Sequence, residues 1–308
     1  MSPHARAQWQ IHFCVVLWGF TAILGRAITL PALPLVWWRM LLVTLALLCV
    51  PRMWRGLRTL SPRLIAAYAG IGVLVALHWL TFYGAIKLAN ASVAATCMAL
   101  APVFLALIEP WIARRKFDPR ELLLGIAVVP GVALVVGGIP AAMRIGVAVG
   151  ALSSVFVACF GALNKRMVEH ADPLTVTCLE LGAGALLLTL ASPLLPHAGP
   201  AFVLPDKHDA ILLLALALAC TLLPFALSLV ALRSLSAFNV QLAINLEPVY
   251  AIVLAALLLG EQHELDAWFY LGVVIILGAV FVQPWLTRRR PLAPPPELLG
   301  AAEPEAPE

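Results

Sequence analysis

Charge is what this sequence has little of. Only 12% of its 308 residues are Asp, Glu, Lys or Arg, while 62% are hydrophobic. Soluble domains carry roughly 25% charged residues, and a chain this long would need them to keep its surface hydrated. Their scarcity excludes an ordinary water-soluble globule and points to lipid as the solvent. The formal net charge of +4 is small and dispersed, which argues against a nucleic-acid partner. Signatures of metal and disulfide chemistry are missing too. Six cysteines (Cys14, Cys49, Cys97, Cys159, Cys178, Cys220) sit in apolar runs, with no CxxC and no Cys/His pair at ligand spacing. They read as small core residues. There is no Walker A loop, GxSxG, HExxH or dinucleotide fingerprint, and no connecting loop long enough for an ATPase domain. No cofactor, metal or catalytic residue is therefore expected. Any pumping must use an ion gradient, exchange or downhill flow.

What is present is a series of long apolar runs. A spanning helix needs about 20 mostly apolar residues, and ten candidates occur: Trp9–Gly25, Leu35–Val50, Leu64–Ile86, Ala91–Ala113, Leu122–Ile139, Ile145–Leu163, Pro173–Leu195, Ala210–Leu232, Ser236–Gly260 and Ala267–Leu286. Six contain no formal charge; the other four carry one each, Arg39, Glu109, Glu180 and Glu247. The runs are too long for barrel strands and lack period-two alternation. The first follows MSPHARAQ with no small-residue cleavage site, so it reads as a retained helix.

The cations predict orientation. Of 20 Lys and Arg, four (Arg26, Lys87, Arg144, Lys207) fall in one set of loops, 15 in the alternate set with the termini, and Arg39 within a run. The positive-inside rule then places both termini in the cytoplasm of an inner, or cell, membrane. The tail PLAPPPELLGAAEPEAPE has the composition of a disordered segment.

The two halves resemble each other. A shift of 146 residues lays Leu100, Pro102, Val103 and Phe104 on Leu246, Pro248, Val249 and Tyr250, and Lys87 on Arg233. A shift of 147 lays Gly125 and Gly131 on Gly272 and Gly278. Because five is odd, the second five helices must cross in the opposite sense, an inverted repeat of the kind secondary transporters use. The expected organisation is a short cytoplasmic segment at 1–8, a first repeat at 9–139, a second at 145–286 and a tail at 287–308.

Specific stretches carry a family resemblance. They are LWGF at Leu17–Phe20, Arg39-Met40, LHWLTFYGAIKLANAS at Leu77–Ser92, ALAPVF at Ala99–Phe104 and NLEPVYAIVLAALLLGE at Asn245–Glu261. With these the chain resembles the ten-helix EamA-type permeases of the drug/metabolite transporter superfamily over about residues 8–286. It departs from the pattern in the first half, where Arg114-Arg115-Lys116 stands in place of the closing Gly-Glu. The resemblance implies an all-α membrane protein: ten transmembrane helices as two inverted five-helix repeats around a central cavity, moving small organic metabolites. It leaves the substrate open among amino acids, sugars, nucleotide derivatives and drugs. The preferred expectation is export of an amino acid or related solute. A nucleotide-sugar or lipid-intermediate permease and an intramembrane lipid-modifying enzyme remain alternatives. The expected partners are a small-molecule substrate and the lipid bilayer, with the chain a monomer or homodimer.

Six residues are candidates for contact with the solute: Arg39, His78, Trp79, Tyr83, Gln241 and Asn245. Arg39 within an apolar run is either an anion clamp, binding a carboxylate or phosphate in bidentate fashion, or a cation snorkelling to the interface. Trp37 and Trp38 beside it are interfacial anchors or part of a cavity wall. In the third run His78, Phe82 and Ile86 share one helical face, and Trp79 and Tyr83 the next. Packing explains such a stripe as well as binding does, but His78 must find hydrogen bonds without water. Gln241, Asn245 and Pro248 share a face of the ninth run. Their amides either line the cavity or join helices, and the same arithmetic turns Glu247 toward neighbouring helices unless a kink at Pro248 re-aims it. Glu180 and Glu247 are the proton-coupling candidates, with a counter-ion for Arg39 as a second reading of Glu180. Glu109 fits a local salt bridge to Arg114 or Arg115, and Asn164 a helix cap.

Overall fold

The structure, a computed structural model, describes residues 3–112, 119–167, 170–194, 202–232, 243–244 and 246–287. Among them every regular element is helical. The helices are α1 Pro3–Ala27, α2 Ala32–Leu48, α3 Pro51–Thr59, α4 Pro62–Leu88, α5 Ala91–Met98, α6 Ala101–Ile112, α7 Pro119–Gly137, α8 Arg144–Met167 and α9 Pro173–Ala191. Then follow α10 Lys207–Leu214, a π-helical stretch Ala215–Leu222, α11 Leu223–Leu232, α12 Glu247–Leu259 and α13 Ala267–Thr287. Helix thus occupies described residues of all ten predicted runs. Among the described residues, five stretches have the length and apolarity of a membrane span, one of them α5 and α6 taken together, and the bent pair α2–α3 is a sixth when counted as one span.

Punctuation in the chain explains where these helices begin and end. Ser61, Asn90, Asp172 and Asp206 each cap a helix by accepting a hydrogen bond from a first-turn N–H. Pro51, which offers no N–H, ends α2 and opens α3 at 89° to it. Gly260, at φ 70°, closes α12 with the left-handed residue that favours glycine.

The internal repeat is visible in the backbone. The fourth run is not one smooth helix: it breaks at Ala99-Leu100, and the ninth breaks at Leu246. Leu100 donates to Cys97 O at 2.9 Å and Leu246 to Ala243 O at 3.0 Å. Phe104 then donates to Leu100 O and Tyr250 to Leu246 O, at 3.2 and 3.0 Å. The 146-residue shift therefore superposes two broken helices, each resuming beside its proline, Pro102 or Pro248. Broken spanning helices free backbone groups and are tolerated where they line a cavity.

The repeats interlock. α4 packs on α8 and α9, α2 on α9, α1 on α11 and α12, and α7 on α13. In lipid, close van der Waals contact holds helices together and small residues permit it. Gly131 and Gly272 bring α7 and α13 into backbone contact; a Cβ on Gly272 would meet Gly131 O at 2.5 Å. At the α4–α9 crossing a Cβ on Gly72 would overlap the carbonyl oxygen of Glu180.

One end of the bundle, where α2 turns into α3, carries Arg52, Arg55, Arg58 and Arg63; it is called the basic end below. At the far end, Asp209 accepts from Thr29 N, Thr29 Oγ1 and Leu30 N. Glu261 accepts from Ala91 N and Ser92 N, and Glu264 from Asn90 Nδ2 while facing Arg26 at 3.8 Å. These bonds tie α1, α5, α10 and the α12–α13 turn together.

Candidate solute-binding site

A cavity of about 290 Å³ lies between the two repeats. Arg39, His78, Trp79, Phe82 and Met98 of the first repeat form one side, and Phe160, Asn164, Thr177, Glu180 and Glu247 of the second form the other. Arg39 and Met98 sit near the middle of their segments, whereas Asn164 and Thr177 lie toward the basic end. The cavity therefore runs from mid-bundle toward the basic end, away from the hydrogen-bonded far end.

Arg39 is held on three sides. Nε donates to Thr221 Oγ1 at 2.9 Å, Nη1 donates to Tyr83 Oη at 2.7 Å, and Cζ lies 3.7 Å from the Trp79 ring centroid. The side chain is 4% exposed, which rules out snorkelling. Starting α2 at Ala32 instead of Leu35 places Arg39 eighth of 17 residues, deeper than expected. Every contacting group is neutral, and no carboxylate of the described residues lies within 4 Å. Glu247 on the cavity wall attracts it from a longer range. A fixed planar guanidinium in low dielectric, without a contact counter-ion, is built to accept an anion.

The π-helical stretch explains how Thr221 reaches Arg39. Its hydroxyl donates to Leu216 O, five residues back, at 2.7 Å while accepting from the guanidinium. The wider turn aims this hydroxyl inward; π-turns are frequent at functional sites.

Three rings of the stripe line the cavity: the candidates His78 and Trp79, and Phe82 beside them. His78 is satisfied by the second repeat: Nδ1 lies 2.8 Å from Ser153 Oγ and 3.1 Å from Ser153 O, and Ser153 Oγ donates to His78 O. Tyr83 is fully buried behind Arg39, as a support and not a wall. Trp37 and Trp38 pack at the far end, donating to Thr189 Oγ1 and Val203 O.

The opposite pole is acidic. Glu180 is 4% exposed and does not pair with Arg39; Asn164 Nδ2 donates to its Oε2 at 3.3 Å. Glu180 Oε1 and Asn164 Oδ1 are both buried with no hydrogen-bond partner among the described residues. Such acceptors are costly unless a donor visits them. Asn164, expected as a helix cap, instead lines the cavity and bonds Glu180 of the next helix. Glu247 also lines the cavity, the outcome expected if the ninth run is re-aimed at Pro248, and it is the first residue of α12. Gln241 and Asn245 lie outside the described residues, as do the side chain of Glu109 and the Arg114–Lys116 run. Sequence reading missed Thr221, Ser153 and Thr177. Their signal was a lone hydroxyl residue in an apolar run, which is too common in membrane helices to single out.

The model of the EamA-like transporter family matches residues 8–137 and again 144–283. The chain belongs to the EamA-like transporter family. Its membership makes it a multi-pass membrane protein with a permease's two-repeat architecture. An uncharacterized transporter of Bacillus subtilis (strain 168), YxxF, is 24% identical over 277 residues, spanning 86% of this chain and 85% of that protein. A solved crystal structure superposes with a TM-score of 0.59 over 92% of this chain and 98% of its own, at 17% identity, a likeness of fold. The EamA-like repeats bracket the cavity, so its lining comes from both.

Proposed function

We propose that this EamA-like protein is a secondary transporter that exports a small organic anion or zwitterion, of the amino-acid class, by alternating access. The single observation that carries the reading is Arg39: buried, fixed by Tyr83, Thr221 and Trp79, facing a cavity, and without a contact counter-ion among the described residues. A carboxylate or phosphate of the solute supplies what the guanidinium lacks. His78, Trp79 and Phe82 shape the walls, and Glu180 or Glu247 exchanges a proton as the two repeats rock. Gln241 and Asn245 complete the solute contacts.

Cavity size favours this reading over a nucleotide-sugar or lipid-intermediate permease. About 290 Å³ is at the small end of ligand sites and suits a single small metabolite. The positive-inside rule supports an inner-membrane protein with both termini and the basic end in the cytoplasm. On that orientation the cavity lies on the cytoplasmic side of the hydrogen-bonded far end, where an exporter takes up its solute. The test is a thermal-shift screen of the purified protein against a metabolite library, repeated with Arg39→Ala. A ligand that stabilises the parent and not the variant supports the assignment, and movement of that ligand across liposomes confirms transport. Equal stabilisation of both proteins by every hit removes Arg39 from the site.

A further inference from the structure

The nine-residue helix α3 has no part in the cavity, and its composition is unlike the rest of the bundle. It reads PRMWRGLRT, with three arginines, and Arg63 follows at the start of α4. Its inward face is settled: Met53 is buried, Gly56 abuts Thr175, and Met53 O accepts from Thr175 Oγ1 at 3.2 Å. Arg52 is neutralised by Asp172 at 2.7 Å. Arg55 and Arg58 are exposed, and neither finds a partner among the described residues. They stand three residues apart, where like charges on a helix repel.

We propose that α3 is a binding site for anionic phospholipid headgroups. The helix leaves the end of α2 at 89°, so where α2 crosses the bilayer α3 lies along its surface. Trp54 fixes the depth. It is 44% exposed, and its indole N–H donates to Leu48 O at 2.8 Å, next to the exposed side chains of Leu45 and Leu48 on the lipid-facing flank of α2. Tryptophan in that position belongs at the headgroup level. Arg58, one helical turn beyond Trp54, shares its side and therefore its depth. Arg55 points further toward water. A lipid phosphate between Arg55 and Arg58 relieves their repulsion and accepts forked hydrogen bonds from either guanidinium. A soluble acidic protein would have to compete with the lipid surface in which Trp54 sits. The inference is independent of which solute the cavity takes.

The full-length protein is reconstituted in nanodiscs of phosphatidylcholine alone and of phosphatidylcholine mixed equally with phosphatidylglycerol. Melting temperature and the number of retained phosphatidylglycerol molecules, by native mass spectrometry, are then read. We expect the mixed lipid to raise the melting temperature of the parent, with the increment shrinking in high salt. Arg55→Gln/Arg58→Gln should lose most of that increment, with phosphatidylglycerol retention falling about fivefold per arginine, and Arg55→Lys/Arg58→Lys should keep much of it. Arg144→Gln, which removes one charge elsewhere on the chain as Arg58→Gln does on α3, should keep all of it. If the neutral pair fails to assemble, Arg58→Gln alone must still lower retention. Equal phosphatidylglycerol dependence in the parent and the neutral variants overturns the assignment, as does an equal loss in Arg144→Gln.

Discussion

The two poles of the cavity treat a buried polar group in opposite ways. At one pole Arg39 has hydroxyl partners at Nε and Nη1 and an aromatic ring beneath its plane. At the other, Glu180 and Asn164 share one long hydrogen bond and leave an oxygen each with no partner. The first pole has a fixed direction and lacks only a counter-charge. The second lacks donors. A solute with an anionic end and a donor end satisfies both, and a proton on Glu180 satisfies part of the second. Preorganisation at Arg39 lowers the ordering cost of binding, whereas the bare acceptors destabilise the empty state and so favour whatever fills it.

Removing the fixed pole should have the largest effect. Arg39→Met is expected to weaken binding of any hit from the metabolite screen by about 2–5 kcal/mol, the cost of losing a buried charged partner. The same change should leave the melting temperature of the ligand-free protein unchanged or higher, because a buried cation with only a distant carboxylate is replaced by a packed apolar chain. Arg39→Lys should not rescue binding, since an ammonium cannot lie flat on Trp79 and reach both Tyr83 and Thr221. A ligand-free melting temperature that collapses in Arg39→Met would make the residue structural and sink its role as a clamp.

Gly72→Ala acts next, and on the second pole alone. The added methyl overlaps the carbonyl of Glu180, a backbone atom that cannot rotate away. Separating α4 from α9 is expected to cost about 1–3 kcal/mol by thermal melting in detergent, and to displace Glu180 while sparing Arg39's hydrogen bonds. Residual ligand binding should then survive in a way it does not in Arg39→Met. If both variants lose binding equally, the two poles are not separable.

These poles were unequally legible in the sequence. Arg39 stood out because a lone cation in an apolar run is expensive. His78 and Trp79 were found by helical spacing. The same spacing assigned Tyr83 to the wall, yet it stands behind Arg39, because a periodicity gives a face and not what lies against it. For Glu247 the wheel left two outcomes, away from the cavity on a continuous helix or toward it if the helix is re-aimed at Pro248; it lines the cavity, and α12 begins at Glu247 itself. Asn164 looked like a cap because its partner, Glu180, comes from the next helix, and sequence spacing carries no such information. The turn of α3 across the end of α2 was not legible, because the basic segment after Val50 reads as a connecting loop and its helix is set by Pro51 and by packing on α9.

Glu180→Gln tests the second pole more gently. A neutral amide of the same shape can donate to Asn164 Oδ1, so we expect about 1 kcal/mol of added stability. Solute movement in proteoliposomes should lose its response to an imposed pH gradient, while exchange of solute for solute continues. A variant that responds to the gradient as the parent does transfers the coupling role away from Glu180, and Glu247→Gln would then be the change to measure.

Glu261→Gln should have the smallest effect, and its direction is informative. Glu261 is as deeply buried as Glu180, at 1% exposed, but both of its oxygens accept backbone hydrogen bonds at the start of α5, from Ala91 N and Ser92 N. A helix N-terminus is a favourable place for a carboxylate. Removing the charge here should therefore destabilise, by about 0.5–1 kcal/mol, whereas the same substitution at Glu180 should stabilise. Opposite signs in paired thermal melts would show that partners, and not burial, separate the two glutamates. Shifts of the same sign would mean that the bare oxygens of the cavity are satisfied by water, and the contrast on which the second pole rests would be lost.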